Sequence, residues 1–119
     1  MASERSVQVV QVEEVGQGKR ETCCSAYHRA VELVGKRWTG AILAVLMDGP
    51  LRFSEITQLV PDLSDRLLSE RLKELEAEGI VCRSVRDGVP VKVEYSLTPK
   101  GRALEPAVRA LKGWARSWL

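Results

Sequence analysis

The sequence predicts an α+β fold in which several helices accompany one small antiparallel β-hairpin. Apolar residues recur at helical spacing through most of residues 25–79, alternate with polar residues over 91–97, and return to helical spacing after Thr98. A chain of 119 residues has the ordinary length of one domain. Its residues are 45% hydrophobic and 29% charged, which is typical of a globular protein.

Four helices are predicted before the hairpin, at residues 25–34, about 37–48, 54–60 and 64–79. Gly35 ends the first helix, and Gly49 followed by Pro50 ends the second, because glycine favours the position after a helix and proline cannot continue one. Ser54 and Ser64 are the predicted N-caps of the third and fourth helices, since a serine oxygen accepts a hydrogen bond from an unpaired backbone N–H.

The segments after residue 60 predict the order of a winged helix-turn-helix. Pro61-Asp62-Leu63 forms a turn between a short helix and a longer one, which is the helix-turn-helix arrangement. Residues 80–86 and 91–97 then have the pattern of two strands on either side of Asp87-Gly88. A hairpin directly after the longer helix is the element that a winged helix adds.

The predicted domain occupies residues 23–119 and ends in a helix that Thr98 caps and that runs to about Trp118. Residues 1–22 are predicted to be a weakly ordered or strand-prone tail. Residues 1–21 contain three basic and four acidic side chains, so the other 98 contain 15 basic and 12 acidic side chains, a net charge of +3. This mildly basic balance is a weak indication of a nucleic-acid partner.

Composition also indicates where the protein works. No apolar run approaches the ~18–20 residues that span a bilayer. The first 15 residues lack the basic start and continuous apolar stretch of a secretory signal. Three cysteines, two of them adjacent, make a poor disulfide scaffold for a secreted protein. We therefore expect a cytoplasmic protein with no membrane partner.

The fourth predicted helix has one apolar and one polar side. At about 100° per residue its leucines point one way, while Arg66, Ser69, Glu70 and Lys73 point the opposite way. In a major groove, Arg66 is suited to a guanine edge, and Ser69 and Lys73 to bases or phosphates. Glu70 either accepts from cytosine or pairs with Arg66 one turn earlier. The alternative is that this face is an ordinary solvated helix surface.

The basic residues of the hairpin and Arg71 are predicted to have different roles. Arg83, Arg86 and Lys92 are predicted to lie together at the hairpin tip with Asp87, a local charge of +2 that suits phosphate or minor-groove contact. Arg71 points close to the leucines, so we expect its stem to pack and its guanidinium to pair with a carboxylate.

Four segments resemble the HxlR-type winged-helix transcription regulators of bacteria. They are CSAYHRAVELVGKRWTGAIL (24–43), DGPLRFSEI (48–56), LSDRLLSERLKELEAEGIV (63–81) and VEYSLTPKGRAL (93–104). The resemblance covers about residues 23–119. It implies a homodimer built through the terminal helices, with one recognition helix and one wing in each subunit, and control of a neighbouring gene.

The resemblance also implies roles for individual residues. The residues that fall on the family's recognition helix are Ser64, Arg66, Ser69, Glu70 and Lys73. Those that fall on its wing are Arg86, Asp87 and Gly88. Cys24 falls on the family's N-terminal cysteine, which in several members reacts with electrophiles, quinones or oxidants. There it is typically followed by proline, whereas Ser25 follows here.

The cysteines support two interpretations. Cys24 lies at the predicted start of a helix, where the helix dipole favours a thiolate, so it is either a redox or electrophile switch or an inert thiol. Cys23 cannot easily bridge its neighbour, because a vicinal disulfide strains the backbone. Cys82 lies within a predicted strand and is expected to be packed. Cys23, Cys24 and His28 are too few ligands for a zinc site, so no metal is predicted.

The last helix carries Trp114 and Trp118 four residues apart on its apolar side. We interpret them as packing anchors of a dimer, with a ligand pocket as the alternative. The predicted dimer-interface residues on the two terminal helices are Tyr27, Val31, Leu111, Trp114 and Trp118. A single histidine with no nucleophile beside it, and no phosphate-binding glycine loop, give no basis for catalysis or for a cofactor.

The predicted function is therefore a dimeric, sequence-specific transcription regulator that is not an enzyme. Its predicted partners are double-stranded DNA at a two-fold-symmetric operator, a second copy of the chain, and an oxidant or small-molecule inducer, with Cys24 as the candidate sensor of oxidants or electrophiles. We predict a repressor of a neighbouring gene. The alternatives are a regulator that binds a small molecule without thiol chemistry, and a winged helix used for protein–protein contact.

Overall fold

The computed structural model describes residues 20–119, which form helices and a three-stranded antiparallel sheet. The elements in chain order are α1 (Ser25–Val34), α2 (Thr39–Leu46), β1 (Leu51–Arg52), α3 (Phe53–Leu59), α4 (Asp65–Ala77), β2 (Val81–Arg86), β3 (Lys92–Leu97), α5 (Pro99–Arg102) and α6 (Glu105–Trp118). This confirms the predicted α+β class. Most of the tail predicted over residues 1–22 lies outside the described residues.

The chain divides within α1, between Val31 and Glu32, and its second unit comprises Glu32–Leu119. In the second unit, α2, α3, α4 and the base of the sheet enclose one hydrophobic core. Its buried residues are Ile42, Leu43, Leu46, Ile56, Val60, Leu63, Leu68, Leu72, Leu75, Ile80 and Val81. No helix within residues 20–119 is both long enough and apolar enough to cross a bilayer.

The limits of α4 follow from local chemistry and agree with the sequence. The Ser64 hydroxyl oxygen accepts a hydrogen bond from the backbone N–H of Leu67 at 3.2 Å, so Ser64 is the predicted N-cap. Gly79 follows the helix with a φ of +72°, a conformation that glycine adopts without steric cost. The backbone N–H of Ile80 then donates to the Leu75 carbonyl at 2.9 Å and closes the helix end.

Two boundaries near α3 differ from the prediction. The helix begins at Phe53, and not at a Ser54 cap, because the Glu55 carboxylate accepts the backbone N–H of Arg52 at 2.7 Å. The sequence analysis also missed β1, which pairs Leu51 with Tyr95 and Arg52 with Glu94. A strand of two residues has no periodicity of its own, so only its pairing with β3 identifies it.

The predicted last helix is two helices. Thr98 caps α5 as expected, and its hydroxyl oxygen accepts the backbone N–H of Gly101 at 3.1 Å. The helix then breaks between Arg102 and Glu105. Pro106 lies in the first turn of α6 and has no N–H to donate to the carbonyl of Arg102, so one continuous helix is disfavoured.

Gly101 marks the closest approach between α5 and the start of β2. It is buried, and a Cβ at this position would overlap the backbone carbonyl oxygen of Ile80. A side chain at position 101 therefore requires the backbone of α5 or of Ile80 to move.

We predict opposite effects for alanine at two helical glycines. Gly101→Ala should destabilise the protein by about 1–3 kcal/mol, because the Ile80 backbone cannot yield easily. Gly113→Ala in α6 meets open space and should stabilise it by about 0.4–1 kcal/mol, because alanine restricts the unfolded chain. Urea unfolding midpoints of the two variants check this, and equal midpoints would contradict the packing described here.

Candidate nucleic-acid interface and thiol site

One face of α4 is buried and the other carries the polar residues that the sequence analysis identified. Leu68, Leu72 and Leu75 are buried, while Arg66 and Lys73 are exposed. Ser69 is partly exposed and Glu70 is exposed. The structure therefore brings the predicted contact residues together on one solvent-facing side of a single helix.

Arg66 and Glu70 form an ion pair, which is one of the two arrangements considered for Glu70. Arg66 Nε lies 3.4 Å from Glu70 Oε1, and the Arg66 side chain is 89% exposed. An ion pair this exposed contributes little to stability, so the guanidinium can exchange its carboxylate for another acceptor. Ser64 has a structural role as well, because its oxygen caps the helix.

The wing is the β2–β3 hairpin, and its register separates the predicted basic residues. Arg86 pairs across the hairpin with Lys92, while Arg83 pairs with Tyr95. Side chains alternate between the two faces of a sheet, and directly opposed residues share a face. Arg83 therefore lies mid-strand on the face opposite to Arg86 and Lys92. The prediction that all three cations lie together at the tip is therefore wrong for Arg83.

Two features shape the tip of the wing. Arg86 Nε lies 3.2 Å from Glu94 Oε1, so a carboxylate that the sequence analysis did not count neutralises part of its charge. Gly88 has a φ of +152°, a backbone conformation that other residues rarely adopt. Lys92 and Asp87 are exposed beside it.

Arg71 has the predicted role of a packed arginine. Its side chain is 12% exposed, and its NH1 lies 3.4 Å from the carboxylate of Glu74. Glu74 also accepts a hydrogen bond from Lys36 Nζ at 2.8 Å. The Lys36 hydrogen bond is the main cause that holds the pKa of Glu74 below its ordinary value. The sequence analysis did not identify Lys36 or Glu74, which are 38 residues apart.

Cys24 directly precedes α1 and is exposed. Its carbonyl oxygen accepts the backbone N–H of His28 at 3.0 Å, the first hydrogen bond of the helix. Hydrogen bonds from the backbone N–H groups of Tyr27 and then Ala26 lower the pKa of the Cys24 thiol from its ordinary value. The predicted direction of the shift is confirmed, and backbone donors at the helix start are its cause.

The prediction for Cys82 is wrong, because this thiol is exposed. Only Val81, the first residue of β2, is buried, and the rest of the strand leaves the core. Cys82 shares a face of the wing with Ser84, and its sulfur lies 4.0 Å from the Ser84 hydroxyl. All three cysteines carry free thiols. Among residues 20–119, no group of histidine, cysteine or acidic side chains is arranged to hold a metal ion.

The two helices predicted to form a dimer both present apolar side chains to solvent. On α6, Leu111 is 65% exposed and Trp114 is 54% exposed, and no residue of this helix is buried. On α1, Tyr27 and Val31 are exposed as well. A surface depression at the α5–α6 junction is lined by Arg102, Ala103, Glu105, Pro106 and Arg109, and this lining includes neither tryptophan.

Residues 33–119 match the family model described as HxlR-like helix-turn-helix. The transcriptional regulator YodB of Bacillus subtilis is 51% identical over 94 residues, which cover 79% of this chain and 84% of YodB. YvaP, an uncharacterised HTH-type transcriptional regulator of the same organism, is 49% identical over 96 residues, covering 81% of this chain and 89% of YvaP.

Solved structures show the same architecture. Reduced YodB from B. subtilis superposes with a TM-score of 0.74 at 48% identity, over 82% of this chain and 95% of that one. The reduced form of the redox regulator HypR gives a TM-score of 0.74 at 43% identity, over 78% of this chain and 92% of that one. YodB has also been solved after diamide treatment and with bound quinone.

The lowered pKa of Cys24 predicts how its alkylation depends on pH. In a Cys23→Ser/Cys82→Ser variant, the rate with iodoacetamide should rise with pH at a midpoint below the reference value, which is that of a cysteine in an unstructured peptide measured alongside. The thiolate is then populated nearer neutral pH than in a free thiol. Mass spectrometry of timed samples measures the rate, and a midpoint at or above the reference value would contradict the helix-start effect.

Proposed function

The chain belongs to the HxlR-like helix-turn-helix family, and on that premise we propose that α4 and the wing bind operator DNA and that Cys24 controls this binding. Its relatives are helix-turn-helix transcriptional regulators, and the chain is a regulator of the same kind. The observation that carries the proposal is the single solvent-facing polar side of α4, opposite its buried leucines.

In this proposal α4 enters the major groove. Its exposed side carries Arg66 and Lys73, which offer guanidinium and ammonium donors to guanine edges and phosphates, with Ser69 between them. Ser64 contributes from the helix start, where backbone N–H groups favour a phosphate. Glu70 either stays paired with Arg66 or accepts from a cytosine amino group.

The wing contributes contacts that position the protein on the duplex. Arg86 and Lys92 lie on one face of the hairpin, next to the glycine turn at Gly88, and suit phosphate contacts. Arg83 lies on the other face of the hairpin, so it contacts a phosphate only where that second face also meets the duplex. These contacts add affinity that depends on salt and carries little sequence information.

A homodimer accounts for the apolar surface of the terminal helices. Leu111, Trp114 and Trp118 lie on one side of α6, and half or more of the Leu111 and Trp114 surfaces meet solvent. Tyr27 and Val31 present a second apolar surface on α1. Burial against a second copy removes this surface from water. A two-fold dimer then reads a two-fold-symmetric operator, and we propose that it represses a neighbouring gene by occupying it.

Thiol chemistry at Cys24 supplies the proposed signal. The thiol is exposed and its pKa is lowered, so a thiolate is available to an oxidant or an electrophile. The redox regulator HypR and the diamide-treated and quinone-bound forms of YodB support this reading, since they are similar structures. Modification of Cys24 changes the first turn of α1, and the dimer then loses affinity for its operator.

We predict distinct effects for two arginines. Arg66→Ala should weaken binding to the specific operator by about 1–3 kcal/mol, because a base contact is lost. Arg86→Ala should weaken specific and non-specific DNA alike and reduce the salt slope by about one unit, because one phosphate contact is lost. Titrations at several salt concentrations measure both. Arg109→Ala, which removes a cation from α6, is the control, and equal affinities in all three variants would exclude α4 and the wing from the interface.

We predict that the protein is a dimer at micromolar concentration and that Trp114→Glu or Leu111→Glu makes it monomeric. A carboxylate placed in an apolar interface has no partner and cannot be buried without a large cost. Sedimentation velocity measures the state. Lys112→Glu changes charge on the same helix outside the apolar side and should remain dimeric. A wild-type protein that is monomeric at this concentration would contradict the proposed dimer interface.

We predict that Cys24→Ser abolishes the release of operator DNA by diamide or a quinone, whereas Cys82→Ser still allows it. Only the thiolate reacts, and serine cannot replace it. A loss of about 1.4 kcal/mol in binding already lowers affinity tenfold. Gel-shift titrations before and after treatment measure the effect. If Cys24→Ser releases DNA as the wild type does, Cys24 is not the switch.

A further inference from the structure

Arg71 connects α4 to the joint between α1 and α2, which comprises residues 35–38. Its Nε donates a hydrogen bond to the carbonyl oxygen of Arg37 at 2.9 Å. Its NH1 lies 3.4 Å from each oxygen of the Glu74 carboxylate. The guanidinium is planar and its side chain is only 12% exposed, so these contacts hold it in one orientation.

Glu74 forms a second connection to the same joint. Its Oε2 accepts a hydrogen bond from Lys36 Nζ at 2.8 Å, while the same carboxylate meets Arg71. Lys36 and Glu74 are 47% and 38% exposed, so their ion pair contributes little to overall stability. Two adjacent residues of the joint are thus connected to two residues of α4 that lie one turn apart.

The joint itself is held in a restricted conformation. Trp38 has a φ of +75°, which a residue other than glycine adopts only where its surroundings enforce it. Its side chain packs against the hydrophobic core, and the Arg37 guanidinium carbon lies 5.2 Å from the ring centre. The backbone N–H of Thr39 donates to the Lys36 carbonyl at 3.0 Å. Together these contacts restrict the conformation of the joint.

We propose that Lys36, Arg71 and Glu74 form a clamp through which a displacement of the C-terminal end of α1, caused by modification of Cys24, is passed to α4 on DNA. This inference rests on the proposed function, because it assumes that α4 binds the operator. The helix that Cys24 precedes continues to Val34, immediately before the joint. The clamp residues are positioning residues: Arg71 lies at the edge of the leucine stripe and Glu74 on the flank of α4, so they act on DNA binding through Ser69 and Lys73.

The location of the clamp explains why it affects binding. Arg71 lies two residues from both Ser69 and Lys73, within the same turn of α4. Base-edge contacts tolerate only small errors in position, so a change in how the joint holds this turn changes the fit to the groove. The leucine side of α4 remains buried throughout, so the helix is displaced without unfolding.

The first experiment measures operator affinity with and without diamide for the full chain and four variants. Glu74→Gln and Lys36→Met remove the ion pair between Lys36 and Glu74, and Lys36→Arg keeps a cation that can pair with Glu74. Glu78→Gln is the matched control, because it removes one negative charge a single turn beyond Glu74, at the residue that ends α4 and that makes no ion pair within residues 20–119.

Diamide should weaken binding about tenfold or more in the wild type, Lys36→Arg and Glu78→Gln, and less than about threefold in Glu74→Gln and Lys36→Met. The reduced forms of Glu74→Gln and Glu78→Gln should bind DNA equally within about threefold, since they carry the same charge. If diamide weakens Glu74→Gln as much as Glu78→Gln, the clamp does not transmit the signal and the inference is overturned.

The second experiment separates this inference from the proposed function. Backbone amide exchange over residues 32–38 should be faster in Glu74→Gln than in Glu78→Gln, because the joint loses the Lys36–Glu74 pair, one of its two connections to α4. Equal exchange in both variants would overturn the clamp even if the protein binds DNA. A wild type that does not bind DNA, or that ignores diamide, would instead contradict the proposed function, and the exchange rates would still decide whether α4 restrains the joint.

Discussion

Leu68, Leu72 and Leu75 of α4 are almost completely removed from solvent, and this burial sets the rotation of the helix about its own axis. Burying a leucine contributes about 1.5–3 kcal/mol, so three of them on one stripe outweigh any preference of the polar side. The residues half a turn away, Arg66 and Lys73, must then face solvent. The candidate interface exists because the core requires the opposite side of the same helix.

The starts of three helices use one physical feature in different ways. The first N–H groups of a helix have no partner within it. At α4 the Ser64 oxygen accepts one of them, and at α5 the Thr98 oxygen does so. Before α1 the residue in this place is Cys24, and N–H groups of the first turn stabilise its thiolate. The geometry that caps a helix with serine or threonine thus lowers the pKa of a cysteine in the same place.

The same core also determines how α4 is connected to the rest of the second unit. Arg71 lies at the edge of the leucine stripe, where its stem packs and its guanidinium reaches the Arg37 carbonyl. Glu74, on the flank of the helix, meets both Arg71 and Lys36. These contacts give the position of α4 a dependence on residues outside the interface.

Much of the local structure of this protein could be predicted from its sequence. Ser64, Gly79 and Thr98 act as predicted because caps and helix ends depend on residues a few positions apart, and the polar side of α4 follows from helical periodicity. The tertiary structure alone decided the features that depend on distant partners. β1 exists only through its pairing with β3, Cys82 is exposed because β2 leaves the core, and Lys36 meets Glu74 across 38 residues. Such contacts are set by packing and strand register, which no local pattern in the chain encodes.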